Sequence, residues 1–113
     1  MKILWTNFAS KTLLEIYKYY KDAANKEIAV KIKEGIFEAT KQLVNQPESG
    51  QIELTLEKLG EDHRYLVKDN YKIIYKKITE GILITDVFDT RQDPQKINDK
   101  NRKPGSGKER LTL

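Results

Sequence analysis

His63 to Arg91 reads His-Arg-Tyr-Leu-Val-Lys-Asp-Asn-Tyr-Lys-Ile-Ile-Tyr-Lys-Lys-Ile-Thr-Glu-Gly-Ile-Leu-Ile-Thr-Asp-Val-Phe-Asp-Thr-Arg. Three runs in it are rich in β-branched and aromatic residues, and each is bounded by turn residues. His63 to Lys68 is the first expected strand. Asp69-Asn70 is a two-residue turn, because both residue types tolerate the positive φ of tight hairpins. Tyr71 to Ile78 is the second strand, Thr79-Glu80-Gly81 the next turn, and Ile82 to Asp89 the third strand. The stretch is therefore an antiparallel meander.

Residues before it read as packing material for one face of that sheet. Lys2 to Trp5 is a short β-like run. Thr6 or Asn7 can cap a helix from about Phe8 to Ala23, whose apolar face carries Ala9, Leu13, Ile16, Tyr17 and Tyr20. Asn25 caps a second helix reaching about Asn45, with Ala29, Ile32, Ile36, Ala39 and Leu43 as its stripe. Gly35 is expected to let the two helices approach closely. Their short connection makes them an antiparallel hairpin, and Pro47 marks the end of the second. Gln51 to Leu59 reads either as a strand or as a loop. The fold class is α+β: an N-terminal strand, an antiparallel helix hairpin, then a three-stranded antiparallel meander.

The 113 residues suit one domain. The net charge of +4 resides in the C-terminal end, where six basic residues from Lys96 to Arg110 stand against Asp99 and Glu109, so the rest is neutral in sum. Residues 1–97 are read as the domain and 98–113 as a basic, flexible tail. The absence of cysteine excludes disulfides and thiolate metal sites. One histidine and no ligand-spaced carboxylates leave no metal site or cofactor to expect. The apolar runs fall short of the roughly 20 residues of a membrane span, so a cytoplasmic, soluble protein without a membrane partner is expected.

The chemistry that residue types allow lies on the meander. Arg64, Leu66 and Lys68 share one face of the first strand, and Lys72, Ile74 and Lys76 share one face of the second. Tyr71, Ile73 and Tyr75 form the face better suited to the core. The hairpin brings Lys68 near Lys72, and Arg91 emerges at the same end of the sheet. Lys68, Lys72 and Arg91 are therefore expected to converge as a phosphodiester grip, with Arg64 on the strand before them. The competing and more ordinary reading has Arg64 paired with a carboxylate such as Asp86 or Asp89, the lysines as a solvated face, and His63 at the surface.

This ordered set resembles the RelE/ParE superfamily of toxins from bacterial toxin–antitoxin pairs, which includes plasmid stabilisation proteins. The likeness spans about residues 2 to 97. It rests on Trp5 closing the first strand, on Leu13, Ile16 and Tyr17 in the hairpin, and on Leu43, Pro47, Gly50 and Leu59-Gly60. It continues through Arg64-Tyr65-Leu66-Val67, Tyr71-Lys72-Ile73-Ile74-Tyr75 and Ile84-Thr85-Asp86-Val87-Phe88-Asp89-Thr90-Arg91.

The resemblance implies growth inhibition by one of two routes. RelE-like members cut mRNA on the ribosome, with basic residues and usually a C-terminal Tyr or His. ParE-like members poison DNA gyrase. Arg64 matches the phosphate-holding arginine and Arg91 the closing arginine. Together with Lys68 they are the catalytic set under the nuclease reading, and with Lys72 the phosphate-binding set. Gln92-Asp93-Pro94 follows Arg91 where a Tyr or His is usual, which implies a ParE-like gyrase inhibitor. The alternative is a ribosome-dependent mRNA endoribonuclease (mRNA interferase). The resemblance also implies a cognate antitoxin, docking on Leu14, Tyr19, Val30, Phe37 and Val44, and a homodimer when the toxin is free.

Overall fold

The structure is a computed structural model and describes residues 2–99, Arg102 and the backbone of 110–112. Strand β1 (Lys2–Thr6) leads into helix α1 (Asn7–Ala23), and α2 (Lys26–Thr40) runs back against it. A 3-10 turn at Lys41–Val44 ends the hairpin. Strand β2 (Gln51–Ile52), a 3-10 segment (Leu54–Leu59), β3 (Arg64–Lys68), β4 (Tyr71–Ile78) and β5 (Gly81–Asp89) follow. A 3-10 turn at Pro94–Asn98 and strand β6 (Arg110–Thr112) complete the described elements.

Both helices start where capping side chains dictate. Thr6 Oγ1 accepts from the Ala9 N–H at 3.0 Å, and Asn25 Oδ1 from the Ile28 N–H at 2.9 Å. Helix α2 ends at Thr40, short of the expected Asn45. The buried Thr40 hydroxyl donates to the Phe37 carbonyl at 2.7 Å, a local bond that competes with continued α-helix.

The meander forms as read, with β3–β4 and β4–β5 antiparallel. Lys68 faces Tyr71 across the two-residue turn, in which Asp69 alone takes a positive φ, of 54°. The sheet is larger than the meander: its order is β2-β3-β4-β5-β1-β6, with β1 parallel to β5 and β6 antiparallel to β1. Gly81 makes the β1 contact possible. Its φ is +151°, and a Cβ there would run into the Lys2 carbonyl.

The two faces are covered differently. On one, Tyr71, Ile73, Tyr75, Ile82, Ile84 and Val87 pack with Trp5 against Ala9 and Leu13 of α1, Ile36 of α2 and Leu43. On the other, Ile74 and Phe88 pack with Leu56 and Ile97 from the 3-10 segments. A bulge in β5 sets this division. Ile74 pairs with Asp86 but Tyr75 pairs with Ile84, leaving Thr85 as the extra residue. The insertion shifts the alternation by one, so Val87 joins Ile82 and Ile84 on the helix face while Phe88 turns to the second face.

The boundary expected at residue 97 is not where contacts stop. The backbone of Arg110–Thr112 pairs with β1, and Arg102 lies against the second face. Of the expected flexible tail, Lys100, Asn101, residues 103–109 and Leu113 lie outside the described residues.

Gly35 also has a different role from the one expected. A Cβ there would sit 3.2 Å from Lys68 Cε, so its smallness admits the β3 lysine stem over α2.

Candidate functional site

Cross-strand register decides which face each basic residue occupies. Arg64 lies opposite Tyr75 and Lys68 opposite Tyr71, so both are on the helix face. Lys72 lies opposite Val67 on the second face. Lys68 and Lys72 therefore do not converge: Lys68 pairs with Tyr71, and Lys72, the next residue along β4, points to the opposite face. Lys72 is engaged elsewhere: its Nζ is 3.0 Å from Glu53 Oε1 and 4.2 Å from the Tyr65 ring centroid.

Arg64 neither pairs with Asp86 or Asp89 nor stands free. Its Nη1 donates to the Gly50 carbonyl at 2.9 Å and the Glu48 carbonyl at 3.3 Å. Tyr75 holds the same loop from beneath. Its Oη accepts from the Gly50 N–H and donates to the Pro47 carbonyl, both at 2.9 Å. Gly50 fits because it has no Cβ, which would lie 2.6 Å from Tyr75 Oη. Burial pushes the Tyr75 phenol up, so it stays protonated and acts as a structural donor. Lys77, Glu61 and Asp62 complete a cleft of about 380 Å³ around Arg64.

Arg91 stands at the other end of β4. Asp89 holds it with Nε to Oδ1 at 2.9 Å and Nη2 to Oδ2 at 2.8 Å, and Oδ1 also accepts the Arg91 backbone N–H at 2.9 Å. The hydrogen bond to Arg91 holds the Asp89 carboxyl below its ordinary range and raises the arginine further. Beside them Tyr71 donates to Tyr20, oxygen to oxygen, at 3.3 Å. Burial first, then this bond, pushes the Tyr71 phenol above its ordinary value. Arg91, Asp89, Tyr71, Tyr19, Phe8 and Lys11 belong to the wall of a cavity of about 520 Å³ between α1 and the end of β5. Tyr75 and Tyr71, the partners of Arg64 and Asp89, are separated by about 13 Å of strand, with about another 10 Å across two strand spacings. The two arginines are thus two sites rather than one grip.

His63 turns away from Arg64 but is not at the surface. It is 2% exposed, and neither ring nitrogen has a partner. Burial, then the nearby Lys76 charge, lowers its pKa below the ordinary 6.5.

The expected docking residues divide. Leu14, Tyr19 and Val44 are exposed on the hairpin side, at 47%, 63% and 37%. Val30 is half-buried. Phe37 stacks on Trp5 at 6.2 Å between centroids and packs against the core, so it turns inward.

One buried polar pair escaped the sequence reading. Asp86 is fully buried, and Arg102 meets it with Nη2 to Oδ1 at 2.8 Å and Nε to Oδ2 at 3.1 Å. The Phe8 and Phe88 rings lie 5.1 and 5.2 Å from its guanidinium carbon. The available signal was an aspartate inside an apolar strand, which requires a cation. Arg102 sits in a stretch whose composition reads as tail.

A family model described as the ParE toxin of type II toxin–antitoxin system, parDE, matches residues 3–94. The chain belongs to the ParE toxin family. Its fold is also similar to a solved chain titled a chromosomal ParDE TA system from P. aeruginosa, with a TM-score of 0.66 and 22% identity, covering 79% of this chain and 95% of that one. Among curated proteins, none matches this chain. This member of the ParE family is thus a type II toxin, and among its described residues no helix is long and apolar enough to cross a membrane.

Proposed function

We propose that this ParE-family toxin arrests growth by binding DNA gyrase, without bond-making chemistry of its own. The observation that carries this reading is the separation of its arginines and the engagement of each within the chain itself. Arg64 is occupied by two loop carbonyls and Arg91 by both oxygens of Asp89. Cutting RNA through a 2′-hydroxyl needs a proton-transfer group beside the phosphate grip. The single histidine is buried on the opposite face, and Tyr71 and Tyr75 are pushed toward the neutral phenol. Binding through a shaped surface makes no such demand.

A cognate antitoxin is the second partner of this reading. The exposed Leu14, Tyr19 and Val44 give it apolar contact on the helix hairpin, to which the half-buried Val30 of α2 can add. The antitoxin is sought as the product of a short neighbouring reading frame.

Inducing the chain in cells and scoring both transcripts and chromosomal breaks tests the target. Gyrase-dependent double-strand breaks with intact messages support gyrase. Codon-phased cuts in translated messages that vanish in Arg64→Ala would establish the ribosome-dependent endoribonuclease instead.

A further inference from the structure

The segment Glu53–Asp62 covers the second face of the sheet, where Leu59 packs on the same cluster as Leu56. Leu56 is buried against Ile74, Phe88 and Ile97. Glu53 pairs with Lys72 at 3.0 Å, and Glu61 pairs with Lys76 at 2.7 Å. The Glu53 N–H donates to the His63 carbonyl at 2.8 Å. At its C-terminal end, Gly60 and Asp62 take left-handed φ values of 66° and 53°, a sharp bend before β3. Under this segment lies His63, 2% exposed, with Nδ1 and Nε2 both unpartnered.

We propose that His63 is a proton-operated latch: in mildly acidic medium, protonation of its buried ring releases segment 53–62 from the second face of the sheet.

The charged groups around the ring are Lys76 from β4 and Glu53, Glu61 and Asp62 from the segment and its end. With the segment in place, two of these carboxylates are occupied by lysines, and Lys76 repels an imidazolium. A neutral ring tolerates this enclosure, whereas a buried cation lacking a hydrogen-bond acceptor is far more costly. Lifting the segment hydrates the ring, so that an imidazolium is solvated by water instead of being enclosed beside Lys76.

The direction follows from linkage. Burial and Lys76 lower the proton affinity of His63 in the closed form, while the open form keeps the ordinary value of 6.5. The open form therefore binds more protons between these two values. Opening is favoured as pH falls through that window, by up to about tenfold per pH unit, and is flat above 6.5.

Because the chain has one histidine, its ring signals in an NMR titration report the midpoint directly. Hydrogen exchange of the full chain from about pH 7.5 to 5, expressed as protection relative to intrinsic rates, reports the opening. The expected result is a midpoint below 6.5 and a loss of protection in 53–62 of up to about tenfold per pH unit, with the amides of β4 and β5 unchanged. His63→Phe and His63→Gln should each abolish that slope, so either suffices if the other fails to fold. Lys76→Met should move the midpoint upward. A midpoint at or above 6.5, a loss spread equally over the sheet, or the same slope in the histidine variants would overturn the proposal.

Discussion

Arg102→Met is the substitution whose outcome the packing constrains most. It removes the partner of a carboxylate that is fully buried, from an arginine side chain itself only 20% exposed. Breaking such a pair leaves an uncompensated charge, which costs about 3–5 kcal/mol. For a domain of this size that is a fall of roughly 12–20 °C in Tm, at about 4 °C per kcal/mol. The loss should depend on pH. Burial holds the folded Asp86 carboxyl above its ordinary 3.8 despite the hydrogen bonds and charge of Arg102. The native state therefore binds more protons than the unfolded state above 3.8, and stability falls as pH rises through that window. Without Arg102 the window extends further upward. The deficit of Arg102→Met should be small near pH 4 and full at pH 7, and adding Asp86→Asn should restore part of it. Urea denaturation at both pH values reads this. A variant within about 0.5 kcal/mol of the parent, or a deficit independent of pH, would refute the claim that Arg102 neutralises a buried charge.

Tyr75→Phe strands the Gly50 N–H and removes a donor from Pro47, so urea denaturation should show a loss of about 1–3 kcal/mol. Phe37→Ala should cost on the order of 2 kcal/mol, less than the ~3–5 of a fully buried phenylalanine, because Phe37 stacks on Trp5 while remaining half-buried. Leu14→Asp and Tyr19→Asp should leave stability within about 0.5 kcal/mol of the parent and, in a pull-down with the neighbouring antitoxin, weaken capture.

The fold was legible where periodicity is strong. The stripes of α1 and α2, the capping roles of Thr6 and Asn25, and the meander with its inward Tyr71, Ile73 and Tyr75 all follow from spacing that repeats over several turns or residues. The second face was not legible. It is covered by 3-10 segments too short to display a period, so Leu56 lay in a stretch open to reading as strand or loop, Ile97 marked only the domain's edge, and His63 read as surface. The β5 bulge was hidden for a similar reason: Thr-Asp-Val-Phe has no alternation to break until its partner strand is known. Arg102 was missed because composition describes a segment, whereas its role depends on one long-range contact with Asp86. At the candidate site, the arginines of interest stood out from their places on the meander, and the resemblance matched them. Their separation and the opposite faces of Lys68 and Lys72 required the register.

The gyrase reading is tested most directly with purified components. The toxin is incubated with gyrase, supercoiled DNA and ATP, and cleaved DNA is trapped by denaturation. In parallel it is added to a translating extract programmed with one message. The expected result is toxin-dependent linear DNA that requires gyrase, with the message intact. Codon-phased cleavage of the message with no change in gyrase products would contradict the reading and assign this toxin to the ribosome.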